Sequence, residues 1–350
     1  MTRDDTAQEL KPAFSSSASS SSASSPSQNA QATALWYVAP RECALNTETL
    51  PEPTGQDCLI RTLWSGVSRG TERLVCEGRV PVGEFERMRA PFQQGAFPFP
   101  VKYGYCAVGV VDAGPEVMLG ATVFCLHPHQ DRFIAPIDRL TRVPATVPAR
   151  RAILAANMET ALNAHWDAGS GPADRIVVVG GGVLGLLVAW LAARLPGAQV
   201  TLVDTQPSRA ALAQALGFGF ALPTDAPTEA DLVFHASATA AGLATAIDCA
   251  GLEARIVELS WYGEGVVPAP LGGAFHAKRL QLVSTQVGAI APSRRPRWDY
   301  ARRAAAAMAL LEDDRLDALI SEEIPFSEAA TRLPAILAPS WQGLTAALRY

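Results

Sequence analysis

The sequence has few cysteines, few charged residues and no membrane-type apolar run, and each shortage excludes a class of protein. The six cysteines form no C-x-x-C pair, which excludes a disulfide-stapled secreted domain and a cysteine-rich structural zinc cluster. A net charge of −5 at pH 7 argues against a nucleic-acid partner. No run of about 18 uncharged apolar residues exists outside residues 175–194, which arginines bracket, so we expect no membrane span.

The first 32 residues contain a serine run, Ser15 to Ser25, and little that could be buried. Such a segment cannot offset the entropy of ordering, so the composition predicts a disordered, serine-rich tail over 1–32. The acidic residues Asp4, Asp5 and Glu9 are atypical of a transit peptide, and no hydrophobic signal-peptide segment is present. We therefore expect a cytoplasmic protein.

A β-branched run at 175–179 leads into three consecutive glycines and then an apolar, alanine-rich segment. Gly180, Gly182 and Gly185 have the G-x-G-x-x-G spacing of a dinucleotide-binding turn. The first allows the turn, the second lets a pyrophosphate approach the backbone, and the third lets helix and strand pack closely. We expect Gly181, Val183 and Leu184 to contact the dinucleotide as well. The alternative is a glycine turn that serves packing alone.

A second apolar strand, 199–203, ends at Asp204, about 20 residues beyond the glycines, where a carboxylate can bind the adenosine ribose hydroxyls. A carboxylate at this position would repel the 2′-phosphate of NADP. Arg209 could neutralise such a phosphate, or it could cover the ribose edge in an NAD site. The sequence therefore favours NAD, with NADP as the less favoured alternative.

The elements on either side of this unit differ in type. Between Thr33 and Pro144, short β runs separated by Gly, Pro and Asp predict an antiparallel, barrel-like module. Its predicted strands are 34–38, 58–64, 103–111 and 121–126, and Gly104 and Gly109 predict bends in the third of them. Residues 149–166 favour a helix. After Asp204, predicted helices (207–216, 240–249, 299–311, 327–337) alternate with predicted strands (231–235, 254–259, 280–284, 343–348). That alternation predicts an α/β doubly wound parallel sheet.

This order of elements resembles the medium-chain dehydrogenase/reductase superfamily over residues 33–350. Five stretches resemble the subgroup around bacteriochlorophyllide dehydrogenase: Ser65–Glu72, Val101–Tyr105, Pro128–His129, Trp261–Gly263 and Phe275–Leu280 with Ser284–Gln286. The resemblance implies a GroES-like β-barrel catalytic domain over 33–156 and 289–350, and a Rossmann cofactor domain over 157–288. It also implies a homodimer paired through the edge of the cofactor-domain sheet, and it places Thr160 near the nicotinamide, unless Thr160 is an ordinary helix residue.

The resemblance bears directly on zinc. Alcohol dehydrogenases of this superfamily hold a catalytic zinc with a cysteine, a histidine and a third cysteine or glutamate, and such a site needs all three ligands. Here Ser68, Tyr105 and Ala156 stand at those positions, so we expect no zinc. Cys106 and Glu159 are the neighbouring residues that could still act as ligands.

Without zinc, alcohol oxidation still needs a proton acceptor and a group that stabilises the developing oxyanion. We expect Ser68 and Tyr105 to hydrogen-bond the substrate oxygen, and Glu72, or His129 through a water, to take the proton. In the alternative interpretation, Tyr105 fills the volume of the zinc and Thr71 with Glu72 caps the helix that follows.

Two further clusters carry open hypotheses. His127 and His129 form an H-x-H pair that could bind a metal together with Cys125, or could be loop histidines of the cleft. The second cluster is a group of basic residues that could bind a carboxylated small-molecule substrate or form a solvated face. It consists of Lys278, Arg279, Arg294, Arg295 and Arg297.

The sequence thus predicts an NAD-linked oxidoreductase that moves a hydride between the nicotinamide and a secondary alcohol or carbonyl without catalytic zinc. Three alternatives stay open: a quinone or enone reductase of the same fold, a zinc-dependent alcohol dehydrogenase, and a non-catalytic NAD(H)-binding protein.

Overall fold

A computed structural model describes residues 30–350 of the chain. The predicted tail lies almost entirely outside the described residues. Residues 31 and 32, which we assigned to the tail, instead begin the first strand, where Ala32 is buried. The alternating burial of that strand explains the difference, because its apolar residues face the barrel core.

The helices and strands are numbered in chain order. The strands are β1 (Gln31–Ala39), β2 (Glu42–Thr49), β3 (Asp57–Gly66), β4 (Gln94–Gly95), β5 (Val101–Lys102), β6 (Ala107–Ala113), β7 (Thr122–Cys125), β8 (Arg132–Pro136), β9 (Thr141–Arg142), β10 (Arg175–Val179), β11 (Gln199–Val203), β12 (Gly219–Ala221), β13 (Ala230–His235), β14 (Ala250–Glu258), β15 (Gln281–Ser284), β16 (Ile320–Pro325) and β17 (Thr345–Arg349). The helices are α1 (Arg69–Cys76), α2 (Ala149–Ala152), α3 (Ala155–Ala168), α4 (Val183–Ala192), α5 (Arg209–Leu216), α6 (Ala240–Cys249), α7 (Tyr300–Leu310) and α8 (Ala329–Leu337).

The C-terminal half is built on a six-stranded parallel sheet in the order β12-β11-β10-β13-β14-β15. This is the strand order of a doubly wound dinucleotide-binding sheet, so the predicted fold class is confirmed. Central strand β10 is apolar at every position after Arg175 because helices cover both of its faces. The predicted strand 254–259 begins earlier than expected, because β14 follows α6 directly at Ala250.

The barrel module contains two sheets. One follows the order β16-β17-β3-β6-β7-β9 with β8 also paired to β3, and the other follows β2-β1-β5-β4. The predicted strand 103–111 is interrupted, because β5 ends at Lys102 and β6 begins at Ala107. Gly104 makes this break with φ +127°, a conformation that favours glycine. The break turns Tyr105 out of the sheet.

Several strands were not predicted, namely β2, β4, β8, β9, β12 and β16, and the predicted helix 149–166 divides into α2 and α3. All six cysteines are free, which agrees with the absence of a disulfide framework. Within residues 30–350, the structure contains no helix that is both long enough and apolar enough to traverse a bilayer.

Candidate functional site

A cavity of about 1620 Å³ opens at the carboxyl ends of the parallel strands, between the parallel sheet and the barrel module. Ligands of open α/β sheets bind at this edge, where the strand order reverses. The walls include the β10–α4 turn, the N-terminus of α1 and the β5–β6 connection. The cavity therefore joins the predicted cofactor turn to the predicted catalytic residues.

The glycine turn has the geometry that its spacing predicted. Gly180 has φ +111°, and a Cβ on it would lie 2.6 Å from the backbone nitrogen of Ser237. A Cβ on Gly185 would lie 1.9 Å from the carbonyl oxygen of Gly180, so only glycine allows α4 to pack here. Gly182, just before α4, has no atom within 4 Å of its missing Cβ. The turn thus fits a pyrophosphate at a helix N-terminus.

Asp204 lies directly after β11 and faces the cavity. Its Oδ2 accepts a hydrogen bond from the Gly181 N–H at 2.6 Å, and its Oδ1 accepts one from the Gln206 N–H at 2.8 Å. Arg209 donates to the carbonyl oxygen of Gln342 at 2.9 Å. Burial lowers the pKa of Arg209, and the charge of Asp204 opposes that shift.

Every residue predicted to bind the cofactor lies on the wall of this one cavity: Gly180, Gly181, Gly182, Val183, Leu184, Gly185, Asp204, Arg209 and Thr160. The Thr160 hydroxyl donates to the carbonyl oxygen of Ala156 at 3.0 Å. Whether each residue contacts a cofactor stays a prediction.

Ser68 and Tyr105 meet on the opposite wall. The Tyr105 hydroxyl donates to Ser68 Oγ at 2.5 Å, and both residues line the cavity. Burial and then the neighbouring Cys106 raise the pKa of Tyr105, against the opposing hydrogen bonds with Ser68 and Thr71. Tyr105 is therefore a protonated hydrogen-bond donor at neutral pH. The two hydroxyls form a neutral pair where a substrate oxygen can be held.

Glu72 and His129 lie behind this wall, each 0% exposed. Glu72 Oε2 accepts hydrogen bonds from the Tyr37 hydroxyl at 2.7 Å and from His129 Nε2 at 2.9 Å. The backbone N–H of Ser68 donates to Oε1 at 2.6 Å. Neither Glu72 nor His129 is among the residues that line the cavity.

Because both side chains are buried, neither contacts the cavity directly, and their predicted role of taking the proton onward from the Ser68–Tyr105 pair stays a prediction. Burial would raise the pKa of Glu72, but the charge of His129 and the hydrogen bonds from His129, Tyr37 and Ser68 lower it overall. Glu72 is thus a carboxylate that only accepts hydrogen bonds, so His129 Nε2 carries a hydrogen. The pair anchors the N-terminus of α1, which carries Ser68.

The alternative metal site is not formed. His127 stacks on Phe133 with ring centroids 3.9 Å apart, and burial lowers its pKa to about 3. Glu159 pairs with Arg303 at 3.0 Å, and Cys106 and Cys125 are each 1% exposed in the apolar core. Across residues 30–350, no group of three or more His, Cys, Asp and Glu is placed to hold a metal ion. Serine, tyrosine and alanine stand at the three expected ligand positions, and the absence of a catalytic zinc stays a prediction.

The predicted basic group does not reach the cavity. Lys278 pairs with Glu229 and Arg279 pairs with Glu253, each at 2.8 Å, and Arg294 lies over the Trp166 ring. Arginines from other parts of the described chain line the cavity instead: Arg69, Arg73, Arg87, Arg89, Arg139, Arg142, Arg209 and Arg303. These arginines are far apart in the sequence, so no local sequence pattern predicted that they would share a cavity.

Sequence reasoning also missed a polar group at the ends of β13 and β14. Ser237, Glu258 and Ser260 line the cavity there, and His235 connects Ser237 to Glu258. The only available signal was the histidine that ends the predicted strand 231–235.

Comparison with known proteins gives one curated relative and many structural neighbours. The chain is 29% identical over 199 residues to the 2-desacetyl-2-hydroxyethyl bacteriochlorophyllide A dehydrogenase of Cereibacter sphaeroides, and the match covers 51% of this chain and 58% of that relative's length. No protein-family model matches the chain.

Solved structures cover nearly the whole described chain. A zinc-binding-type dehydrogenase of Sinorhizobium meliloti bound to NADP has a TM-score of 0.74 at 18% identity, covering 92% of this chain and 100% of that one. L-idonate 5-dehydrogenase of Escherichia coli has a TM-score of 0.75 at 14% identity, covering 92% of this chain and 99% of that one. An alcohol dehydrogenase of E. coli complexed with NADH has a TM-score of 0.73 at 14% identity, covering 91% of this chain and 99% of that one.

Proposed function

The chain has the fold of the medium-chain dehydrogenase/reductase superfamily, and from that premise we propose that it is a nicotinamide-dependent oxidoreductase acting on a secondary alcohol or carbonyl. The observation that carries the proposal is the single cavity that holds both the glycine turn and the Ser68–Tyr105 pair. Hydride transfer needs the cofactor and the reacting carbon in contact, which one continuous cavity permits.

We propose NAD as the preferred cofactor. The support is the Asp204 carboxylate, which follows β11 and accepts a hydrogen bond from the Gly181 N–H of the glycine turn, because a 2′-phosphate beside this carboxylate would be repelled. Similar structures are bound to NADP in one case and to NADH in another, so the superfamily fold accommodates both. Comparing the Kd values of NADH and NADPH by fluorescence tests the preference, and tighter binding of NADPH would overturn it.

The chain's own groups account for orientation and hydrogen bonding. The bound nicotinamide supplies the hydride donor or acceptor. The hydroxyl of Tyr105 donates to Ser68 Oγ, which directs the Ser68 hydrogen toward a substrate oxygen in the cavity. A neutral donor pair in a partly buried site stabilises the negative charge that develops on that oxygen. Buried Glu72 holds the Ser68 backbone N–H and keeps the pair in place.

We further propose that this chemistry proceeds without zinc. The support is the donor set, since serine, tyrosine and alanine occupy the positions where a catalytic zinc would require ligands. No step above depends on a Lewis acid.

We propose an anionic substrate, such as a carboxylated molecule, because arginines outnumber carboxylates on the cavity wall although the whole chain has a net charge of −5. Arg73 carries the argument furthest, since its Nε is buried without a hydrogen-bond partner among the described residues. The curated relative is named for a bacteriochlorophyllide, and a tetrapyrrole acid of that kind is a reasonable first candidate.

The test is turnover with NADH against ketones, the corresponding secondary alcohols with NAD, quinones, and enones, each with and without a carboxylate. Activity on the ketone–alcohol pairs supports the proposal. Activity on quinones or enones alone would indicate the double-bond reductase alternative. Tight NADH binding with no turnover of any compound would indicate a non-catalytic binding protein.

A further inference from the structure

The Ser68–Tyr105 pair can hold a substrate oxygen, but alcohol oxidation also releases a proton that needs an acceptor. Burial keeps Tyr105 protonated at neutral pH, so the pair is not itself a base. Glu72 and His129 are each 0% exposed and lie behind the wall. A group that takes the proton directly from the substrate is therefore a side chain of the cavity wall.

Four carboxylates of the described residues line the cavity, namely Asp138, Glu159, Asp204 and Glu258. The side chain of Asp138 is 76% exposed, so water surrounds it. Both oxygens of Asp204 accept backbone hydrogen bonds. Burial would raise the pKa of Glu258, but the hydrogen bond and charge of His235 lower it overall. These three carboxylates are poor acceptors for a proton released inside the cavity.

Glu159 differs from the other three because one of its oxygens has no partner. Its Oε1 accepts a hydrogen bond from Arg303 Nε at 3.0 Å, whereas Oε2 accepts none from residues 30–350. Oε2 is also not among the completely buried, unpaired atoms of that part of the chain. Glu159 lines the cavity although the residue is only 5% exposed. Oε2 is therefore the oxygen that a substrate can reach.

The face of α3 that carries Glu159 lies near the hydroxyl pair. Ala156 and Glu159 are three residues apart, so they share one face of the helix, and both line the cavity. Tyr105 packs against the buried cluster that contains Ala156 and Cys106. Burial raises the pKa of Cys106, and the charge of Glu159 adds to that rise. Glu159 therefore lies on the part of the wall next to Tyr105.

The surroundings of Glu159 favour proton exchange. Burial raises its pKa, and the charge and hydrogen bond of Arg303, from α7, only partly oppose that shift. Two other elements pack on α3: α4 has no charged residue, and Arg255 of β14 bonds carbonyl oxygens at the C-terminal end of α3. The Cys106 thiol is kept protonated by its burial. A carboxyl group with a raised pKa can both accept a proton and return it.

We propose that Glu159 is the acid–base residue of this site: the Ser68–Tyr105 pair holds the substrate oxygen, and Glu159 Oε2 exchanges its proton. In alcohol oxidation the C–H bond breaks and hydride leaves to the oxidised nicotinamide. The O–H bond breaks, its proton passes to Oε2, and its electron pair becomes the second bond of the carbonyl. The carboxyl then releases the proton to water, and ketone reduction runs the same steps backwards.

Arg303 is a positioning residue, because it holds Oε1 and leaves Oε2 free. The inference rests on the proposed oxidoreductase function and adds the residue that carries the proton.

The first experiment compares Glu159→Gln with Glu159→Asp, using para-acetylbenzoate with NADH and the corresponding secondary alcohol with NAD as probes. Glutamine still accepts the hydrogen bond from Arg303 but cannot take a proton. We therefore expect kcat to fall about 100-fold in both directions, with the Kd of NADH unchanged. Aspartate keeps an ionisable group and restores part of the activity.

Asp317→Asn is the matched control, since Asp317 pairs with the buried Arg151 at 2.7 Å and does not line the cavity. Asp317→Asn and Glu159→Gln each lose one arginine–carboxylate pair, so a lower Tm is expected of both. Only Glu159→Gln is expected to lose turnover.

A pH profile separates proton transfer from structural support. Alcohol oxidation needs the Glu159 carboxylate, so in the wild type it slows as the pH falls through the raised pKa of Glu159, and ketone reduction slows as the pH rises through it. Glu159→Gln lacks both limbs. Infrared difference spectra of the protein without substrate or cofactor show a protonated carboxyl band that titrates at the same pH and is missing from Glu159→Gln.

Normal turnover in Glu159→Gln, or a slow variant that keeps the wild-type pH limbs, overturns the inference while the proposed function stands. About one zinc per wild-type chain that Glu159→Gln loses also overturns it, because Glu159 would then be a metal ligand. A wild-type chain that turns over no ketone or secondary alcohol overturns the proposed function itself, and the inference with it.

Discussion

The hydrogen bond between Tyr105 and Ser68 determines how the two hydroxyls are oriented at the cavity wall. Burial keeps Tyr105 protonated, so it acts as a donor and not as a base, and its hydrogen bond to Ser68 fixes which hydroxyl presents a hydrogen to the cavity. The neighbouring acidic residue, Glu72, is buried behind them and accepts a hydrogen bond from the backbone N–H of Ser68.

Replacing Tyr105 with Phe removes the donor and leaves the ring volume. Ser68 then loses the hydrogen bond that orients its hydroxyl toward a developing oxyanion. Because losing such a donor outright costs about 100-fold in turnover, we expect kcat to fall by up to about that factor with the Kd of NADH unchanged. Tyr300→Phe is the control, since that hydroxyl lines the same cavity but bonds the Gly288 carbonyl at 2.9 Å. Unchanged turnover in Y105F would remove Tyr105 from the mechanism and favour its alternative role as filler.

Glu72→Gln breaks a fully buried, triply hydrogen-bonded carboxylate. We expect the free energy of unfolding to fall by about 3 kcal/mol, because removing one partner of a buried pair leaves the other uncompensated. Glu77→Gln, directly after the same helix, is the control, since Glu77 pairs with exposed arginines and its loss costs below about 0.5 kcal/mol. Equal losses in the two variants would contradict this account of Glu72.

The same carboxylate makes a pH prediction. The folded pKa of Glu72 is lowered, so its stabilisation is complete above the unfolded pKa of about 4.3 and disappears as the pH falls through the folded value. We expect urea unfolding from pH 6 to pH 3 to show a steeper loss of stability in the wild type than in Glu72→Gln. Parallel curves would mean that Glu72 is not ionised in the folded protein.

At the scale of elements, two glycines of the β10–α4 turn have different surroundings. Gly185 is needed by the protein itself, since its missing Cβ would meet the Gly180 carbonyl oxygen at 1.9 Å, whereas Gly182 has open space of 4 Å on that side. One motif thus contains a glycine that packing requires and a glycine with open space beside it.

We therefore expect opposite phenotypes from two alanine substitutions. Gly182→Ala keeps the Tm within about 2 °C and weakens NADH binding about tenfold, because the methyl occupies space that the pyrophosphate needs. Gly185→Ala lowers the free energy of unfolding by roughly 1–3 kcal/mol through overpacking of α4 on the turn. Thermal melts and NADH titrations measure both. A stable Gly182→Ala variant that binds NADH normally would place the pyrophosphate elsewhere.

At the scale of the whole molecule, the cavity is assembled from both modules, and its wall is more positive than the chain. The barrel contributes Ser68 and Tyr105, and the parallel sheet contributes the cofactor turn and Ser237. A homodimer paired through an edge of the parallel sheet is still a prediction, which light scattering of the purified chain would check.

Metal content is the prediction that concerns the whole molecule. Purified without chelator, the protein should contain far less than one zinc per chain by mass spectrometry, and EDTA should leave turnover unchanged, because the ligand positions hold serine, tyrosine and alanine. About one tightly bound zinc per chain, with activity lost on its removal, would contradict the Ser68–Tyr105 mechanism and restore the zinc-dependent alternative.

The sequence by itself determined the parallel sheet and the dinucleotide turn. Both are local: β10 and α4 follow from the apolar run and the alanine-rich segment around Gly180 to Gly185, and Asp204 follows β11 directly. The break at Gly104 was partly visible for the same reason, since a glycine inside a β run signals a bend.

Only the tertiary structure decided which side chains share the site. Glu72 meets His129 although 57 positions separate them, and His235 meets Glu258 because β13 and β14 pair in register. Strand pairing and burial depend on the packing of distant elements, which residue periodicity does not encode. For that reason the sequence did not predict the burial of Glu72 behind the cavity wall, and it missed Ser237 and Arg73, which the fold brings to the cavity.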